Sequence, residues 1–258
     1  MGSILKADFY RIVKDKMFII LCIVCLGASV ALTTVLGFAL RDAELGGLLG
    51  LGSAFGTAEF LSSPSGTFSI VLTIFTAILI AKDNSTVRNK IICGKSRTEV
   101  FFANFIVILT VYMGFALLHL LLSFCVGLIF LPPTYFTLEP YQVVLGVLYK
   151  LIGYVAVASF LSLFLAGLRN TALAIVLTLT SSYLLQFLGL ILMLVADEKF
   201  REFLSVAQYV NIPNVIASTF DANLFTLGSS ITYLLTCGTV IGLGIGLGLL
   251  AFKKKDLK

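Results

Sequence analysis

Apolar runs of about 20 residues or more recur along the whole chain, and they limit what it can fold into more than any other feature. A helix of about 20 residues crosses a hydrocarbon core of about 30 Å. The runs fall at residues 17–40, 61–81, 100–131, 141–168, 172–196 and 227–252. They predict an all-α polytopic membrane protein with six transmembrane helices. A soluble domain of 258 residues would need far more charge than the 12% present here against 59% hydrophobic residues. No polar stretch is long enough for a separate soluble domain, so 1–258 reads as a single transmembrane domain. Sixteen residues precede the first run, which is too long for a signal-peptide core, so no cleavable signal is expected. Lys6 stands where a myristoylation signal needs Ser or Thr.

Charge sets the orientation. Residues 1–16, 82–99, 167–171 and 253–258 together carry fourteen Lys or Arg, against three in the alternate segments. Positively charged loops stay inside, which places both termini in the cytoplasm and requires an even number of spans. The net charge of +5 is explained by this bias, with no appeal to nucleic acid. The expected location is the cell membrane, crossed several times.

The segment Lys82–Glu99 (KDNSTVRNKIICGKSRTE) interrupts the apolar pattern with its own helix signals. Asp83, Asn84 and Ser85 are good N-caps. A two-turn helix follows over Thr86–Cys93 (85–94 with its caps), and Gly94 stands where a helix ends. Ser96-Arg97-Thr98-Glu99 is a capping box that opens the next span. Val87 and Ile91 lie four apart with Ile92 beside them, and these apolar side chains need a cover. A simple linker needs less, as the short turn at 167–171 shows. The stretch therefore reads as a docking helix, with the plain alternative an ordinary basic loop. Gly94-Lys95-Ser96 imitates the end of a phosphate-binding loop. Asn89 occupies the first glycine position and no strand precedes it, so nucleotide binding is not expected in this chain.

Elsewhere the sequence offers fewer signals. Residues 3–16 place Ile4, Leu5, Phe9, Ile12 and Val13 on one half of a helical wheel and Lys6, Arg11 and Lys14 on the other, which predicts an amphipathic helix in the membrane surface. Residues 197–226, broken at Pro213-Asn214, predict two short re-entrant helices on the outer side. His119 and Lys150 lie within spans; each is a candidate for the cargo path or for helix packing. Gly238, Gly242 and Gly246 recur every fourth residue in the last span and predict close helix packing, within the bundle or at a dimer seam. Cys22, Cys25, Cys93, Cys125 and Cys237 read as packing residues without disulfides. Neither a metal-ligand cluster nor a nucleophile with a partnering base is visible, so the chain is not expected to be an enzyme or to bind a cofactor.

The order of these features resembles the membrane subunit of an ABC-2-type ABC exporter. The resemblance rests on the basic N-terminal helix (LKADFYRIVKDKMF), six spans, the Gly94-Lys95-Ser96-Arg97 step, Pro213-Asn214 before the last span, and the closing Phe252–Leu257 pattern. Asp83 stands where the family would place a glutamate. The resemblance implies two permease copies, as a homo- or heterodimer, paired with two cytoplasmic ATPase subunits that bind ATP and Mg. The loop after the second span would be a coupling helix seated on the ATPase, through Val87, Arg88, Ile91, Ile92, Gly94, Ser96, Arg97 and Glu99. Phe9, Tyr10 and Arg11 would flank that contact. Small permeases of this kind resemble exporters of bacitracin, lantibiotics, amphipathic peptides or drugs in Gram-positive bacteria.

The expected function is therefore export of an amphipathic or hydrophobic cargo, a peptide first. An ion-coupled secondary transporter is one alternative. It predicts half-chain repeats and several intramembrane carboxylates, and neither is visible. A non-transporting membrane sensor or assembly protein is the other. It would not need a structured helix in the first cytoplasmic loop.

Overall fold

In a computed structural model, residues 2–41, 73–80, 87, 90–130, 140–168, 170–180 and 227–254 are described. All regular structure among them is helical. Helix α1 spans Gly2–Lys14 and α2 spans Lys16–Arg41. Asp15 makes the corner between them: its N–H donates to Ile12 O at 3.1 Å, and its carbonyl accepts the first bond of α2 from Ile19 N at 3.2 Å. Helix α3 covers 73–80. Helix α4 spans Arg97–Phe130, α5 spans Pro140–Gly167, α6 spans Thr171–Thr180 and α7 spans Leu227–Lys254.

The helix starts have local causes. Pro140 opens α5, where its fixed φ suits the first turn and its missing N–H would be unbonded anyway. Asn170 caps α6: its Oδ1 accepts from Ala172 N at 2.9 Å. Helix α4 begins ahead of the predicted boundary at 100, because its capping box and its apolar run form one uninterrupted helix. Helix α7 likewise runs past 252 into Lys253 and Lys254.

Among the described residues, three helical stretches are long and apolar enough to cross a membrane: Arg97–Leu122, Tyr141–Gly167 and Tyr233–Lys254. They coincide with three of the six predicted spans. The shorter apolar helices Phe18–Ala28 and Thr171–Thr180 fall inside two more. Of the predicted span 61–81, only 73–80 is described. The predicted re-entrant segment 197–226, with Pro213 and Asn214, lies outside the described residues, as does Arg88.

Helix α7 packs chiefly along α5, α5 against α4, and α4 against α2, with α1 laid on the α4 start. Their shared core includes Ile108, Tyr112, Tyr154, Ala158, Leu161 and Tyr233. A second cluster joins Ile4, Val87, Val100, Phe101, Ala166 and Phe252 at the end of the bundle that carries Arg97, Lys253 and Lys254, called the basic end below. Large apolar side chains remain exposed along the helices, among them Leu121, Val144, Leu235 and Leu250. Helices that are apolar on faces turned away from their neighbours suit a lipid surrounding.

Candidate functional site

The basic end draws four elements together. Residues 90–92 form helical turn, and Gly94 closes it at φ +84°, a left-handed conformation that favours glycine. Gly94 N donates to Ile91 O at 3.0 Å and Lys95 N donates to Lys90 O at 3.2 Å. This pair of bonds is a Schellman motif, which satisfies the last carbonyls of a helix. The chain then turns directly into α4. Glu99 N donates to Ser96 Oγ and Ser96 N to Glu99 Oε2, each at 3.2 Å, so the predicted capping box is closed in both directions. The Ser96 N–H held by its carboxylate lowers the Glu99 pKa below the usual glutamate range, and Lys95 adds to this.

Two further bonds fix this corner to the rest of the chain. Lys90 Nζ meets Asp8 of α1 at 2.9 Å to Oδ1 and 3.0 Å to Oδ2. Arg97 Nη1 donates to Lys253 O at 2.6 Å and so ties the start of α4 to the end of α7. The turn is thus bonded to α1 through Lys90, and the α4 start that follows it is bonded to α7 through Arg97.

The structure corrects several expectations. Val87 is 2% exposed, packed in the cluster with Ile4, Val100 and Phe252, and Ile91 packs against that cluster. Val87 is thus covered by its own chain, and Ile91 is partly covered by it. Ile92, at 71% exposed, is the apolar side chain left open, beside exposed Cys93. Arg97 likewise spends its guanidinium on α7. On α1 the buried stripe is Ile4, Asp8 and Ile12, with Leu5 and Phe9 partly buried beside it. Val13 belongs to the outer face with Tyr10 and Arg11, where the Lys14 amine lies 5.8 Å from the Tyr10 ring centre. Asp8 was missed as a site residue, although an acid at the i+4 step between Ile4 and Ile12 is a readable signal of a buried partner.

The glycines of α7 divide into two sets. Among the described residues, a Cβ on Gly238, Gly242 or Gly246 would meet nothing within 4 Å. The close approach is at Gly244, whose Cβ would lie 2.8 Å from the Ser159 backbone, and at Gly248, 3.2 Å from Leu163 Cα. These two glycines let α7 press against α5.

Within the core, Lys150 of α5 is 0% exposed. One turn on, the Tyr154 ring stands 6.0 Å from that of Tyr112 on α4. Tyr112 shares a buried hydrogen bond of 2.6 Å with Thr73 of α3. Three helices thus carry polar groups into one tract, and Lys150 faces the interior rather than reaching for an interface. His119 lies on α4, with its side chain outside the described set. Among the described residues, no three His, Cys, Asp or Glu side chains converge as metal ligands would. The arrangement can transmit movement and can hold polar groups inside a bundle. A scan of protein-family models finds no match to this chain, and neither does a search of curated proteins.

Proposed function

We propose that this chain is the membrane subunit of an ATP-driven exporter of the ABC-2 type, moving an amphipathic or hydrophobic cargo, most simply a peptide, out of the cytoplasm or inner leaflet. ATP and Mg belong to two separate cytoplasmic ATPase subunits, and a second permease copy completes the assembly. The observation that carries the reading is Ile92. It is a 71% exposed apolar side chain at the apex of a turn that is itself bonded to α1, α4 and α7. An apolar anchor on a rigid corner, ringed by basic residues, suits a groove on a partner that pushes. Gly94, Ser96 and Glu99 shape that corner rather than touch the partner.

The test is co-purification from native membranes. Ile92→Asp is expected to lose the ATPase subunit at least tenfold while inserting normally. Undiminished co-purification rejects the docking role. Ile91→Asp is the weaker probe, because Ile91 also packs against the chain's own cluster.

One observation favours a second reading, an ion-coupled transporter: an amine buried within an apolar helix, as Lys150 is, commonly marks an ion path. Transport into vesicles that persists with an uncoupler and stops without ATP selects the exporter. The opposite pattern selects ion coupling.

A further inference from the structure

A partly open cavity of about 20 Å³ lies at the seam between the two packed clusters. Phe101, Ala166 and Phe252 line it from the cluster at the basic end, and Ile108 and Leu165 line it from the main core. Two polar side chains also face it: Asn104 of α4 and Ser162 of α5. Asn104 Oδ1 is buried and, among the described residues, has no hydrogen-bond partner. The Ser162 hydroxyl donates to Ser159 O at 2.7 Å, which leaves its oxygen lone pairs able to accept. Native interiors rarely keep a buried acceptor without a donor, because desolvation is then uncompensated. A void with wholly apolar walls stays dry, whereas one above about 10–15 Å³ with two or more polar partners takes a water.

We propose that this cavity is a binding site for one water molecule, which donates one hydrogen to Asn104 Oδ1 and the other to Ser162 Oγ. The site joins α4 to α5 where the basic-end cluster meets the core. A water can turn and re-pair as its neighbours shift, so this joint accepts small sliding between the clusters that a direct side-chain bond would resist. The site rests on packing and hydrogen bonding alone and stands whether or not the chain is an exporter.

A double-mutant cycle on the full chain in lipid nanodiscs tests it. Asn104→Ala and Ser162→Ala are each expected to lower Tm by about 2–4 °C. The double variant should fall no further than the larger single loss, because each change breaks the same bridge. Additive losses overturn the proposal, as does Asn104→Leu melting above wild type, which is the behaviour of a dry cavity with an orphaned acceptor. Where a variant does not fold, a high-resolution map of the unaltered chain decides. Density at about 2.7–3.2 Å from both oxygens supports the site. An empty cavity, or an Asn104 amide turned onto another protein atom, removes it.

Discussion

Asp8 shows how one side chain can change the meaning of a helix. As part of an amphipathic pattern it reads as a polar blemish; in the structure it is the buried partner of Lys90, with side chains 7% and 15% exposed. Breaking a buried pair leaves a charge without its counter-charge, which costs about 3 kcal/mol. Asp8→Ala should therefore destabilise by about that amount in a thermal melt. Asp8→Leu combined with Lys90→Met should recover most of the loss; if it does not, the pair is not the cause. Glu99 makes a different prediction, in pH. Its folded pKa is lowered, so its contribution to the cap is complete above the unfolded carboxylate range and is lost as pH falls through the folded value. The protection of the Ser96 amide, the donor to Glu99, against hydrogen exchange should fall in acid relative to its intrinsic rate. In Glu99→Gln that acid dependence should vanish, and an unchanged profile would assign it to another group.

Helix α7 carries two glycine series with the same spacing, and only one of them is buried. Gly238, Gly242 and Gly246 face open space, whereas Gly244 and Gly248 meet α5. A Cβ 2.8 Å from the Ser159 backbone cannot be absorbed by a rotamer change, so α7 must back away from α5. Gly244→Ala should cost about 1–3 kcal/mol, in the range of overpacked cores. Gly242→Ala should be neutral or stabilise by up to about 1 kcal/mol, as alanine is the better helix former. Melts of the two variants check this, and a loss at Gly242 instead would mean that another helix lies on that face. The contrast also explains what was legible beforehand. Helix bounds followed from apolar length and from the Ser96–Glu99 box, both of which act locally. Which glycines pack was not legible, because either series fits a helix at i, i+4 and the choice is made by Ser159 and Leu163 on a distant helix. The packing of Val87 was not legible for the same reason: its neighbours Ile4 and Phe252 are remote in sequence.

At the scale of the whole molecule, the bundle has one end that is chemically unlike the rest. The α1 helix, the Gly94 turn, the α4 start and the α7 end meet there, and Lys90, Lys95, Arg97, Lys253 and Lys254 gather with them. Basic residues resist transfer across a bilayer, so we propose that this end lies on the cytoplasmic side. The same end bears the exposed Ile92, and on that reading a partner docking there is a cytoplasmic one. Orientation and docking thus make a joint claim that Cys93, exposed on the same turn, can test without any substitution at the site. A membrane-impermeant maleimide should modify Cys93 in inside-out vesicles and leave it unmodified in right-side-out ones, with mass spectrometry identifying the labelled peptide. Labelling from the outer face would invert the bundle, and the Ile92 corner would then meet the cell exterior, where no ATPase could push on it.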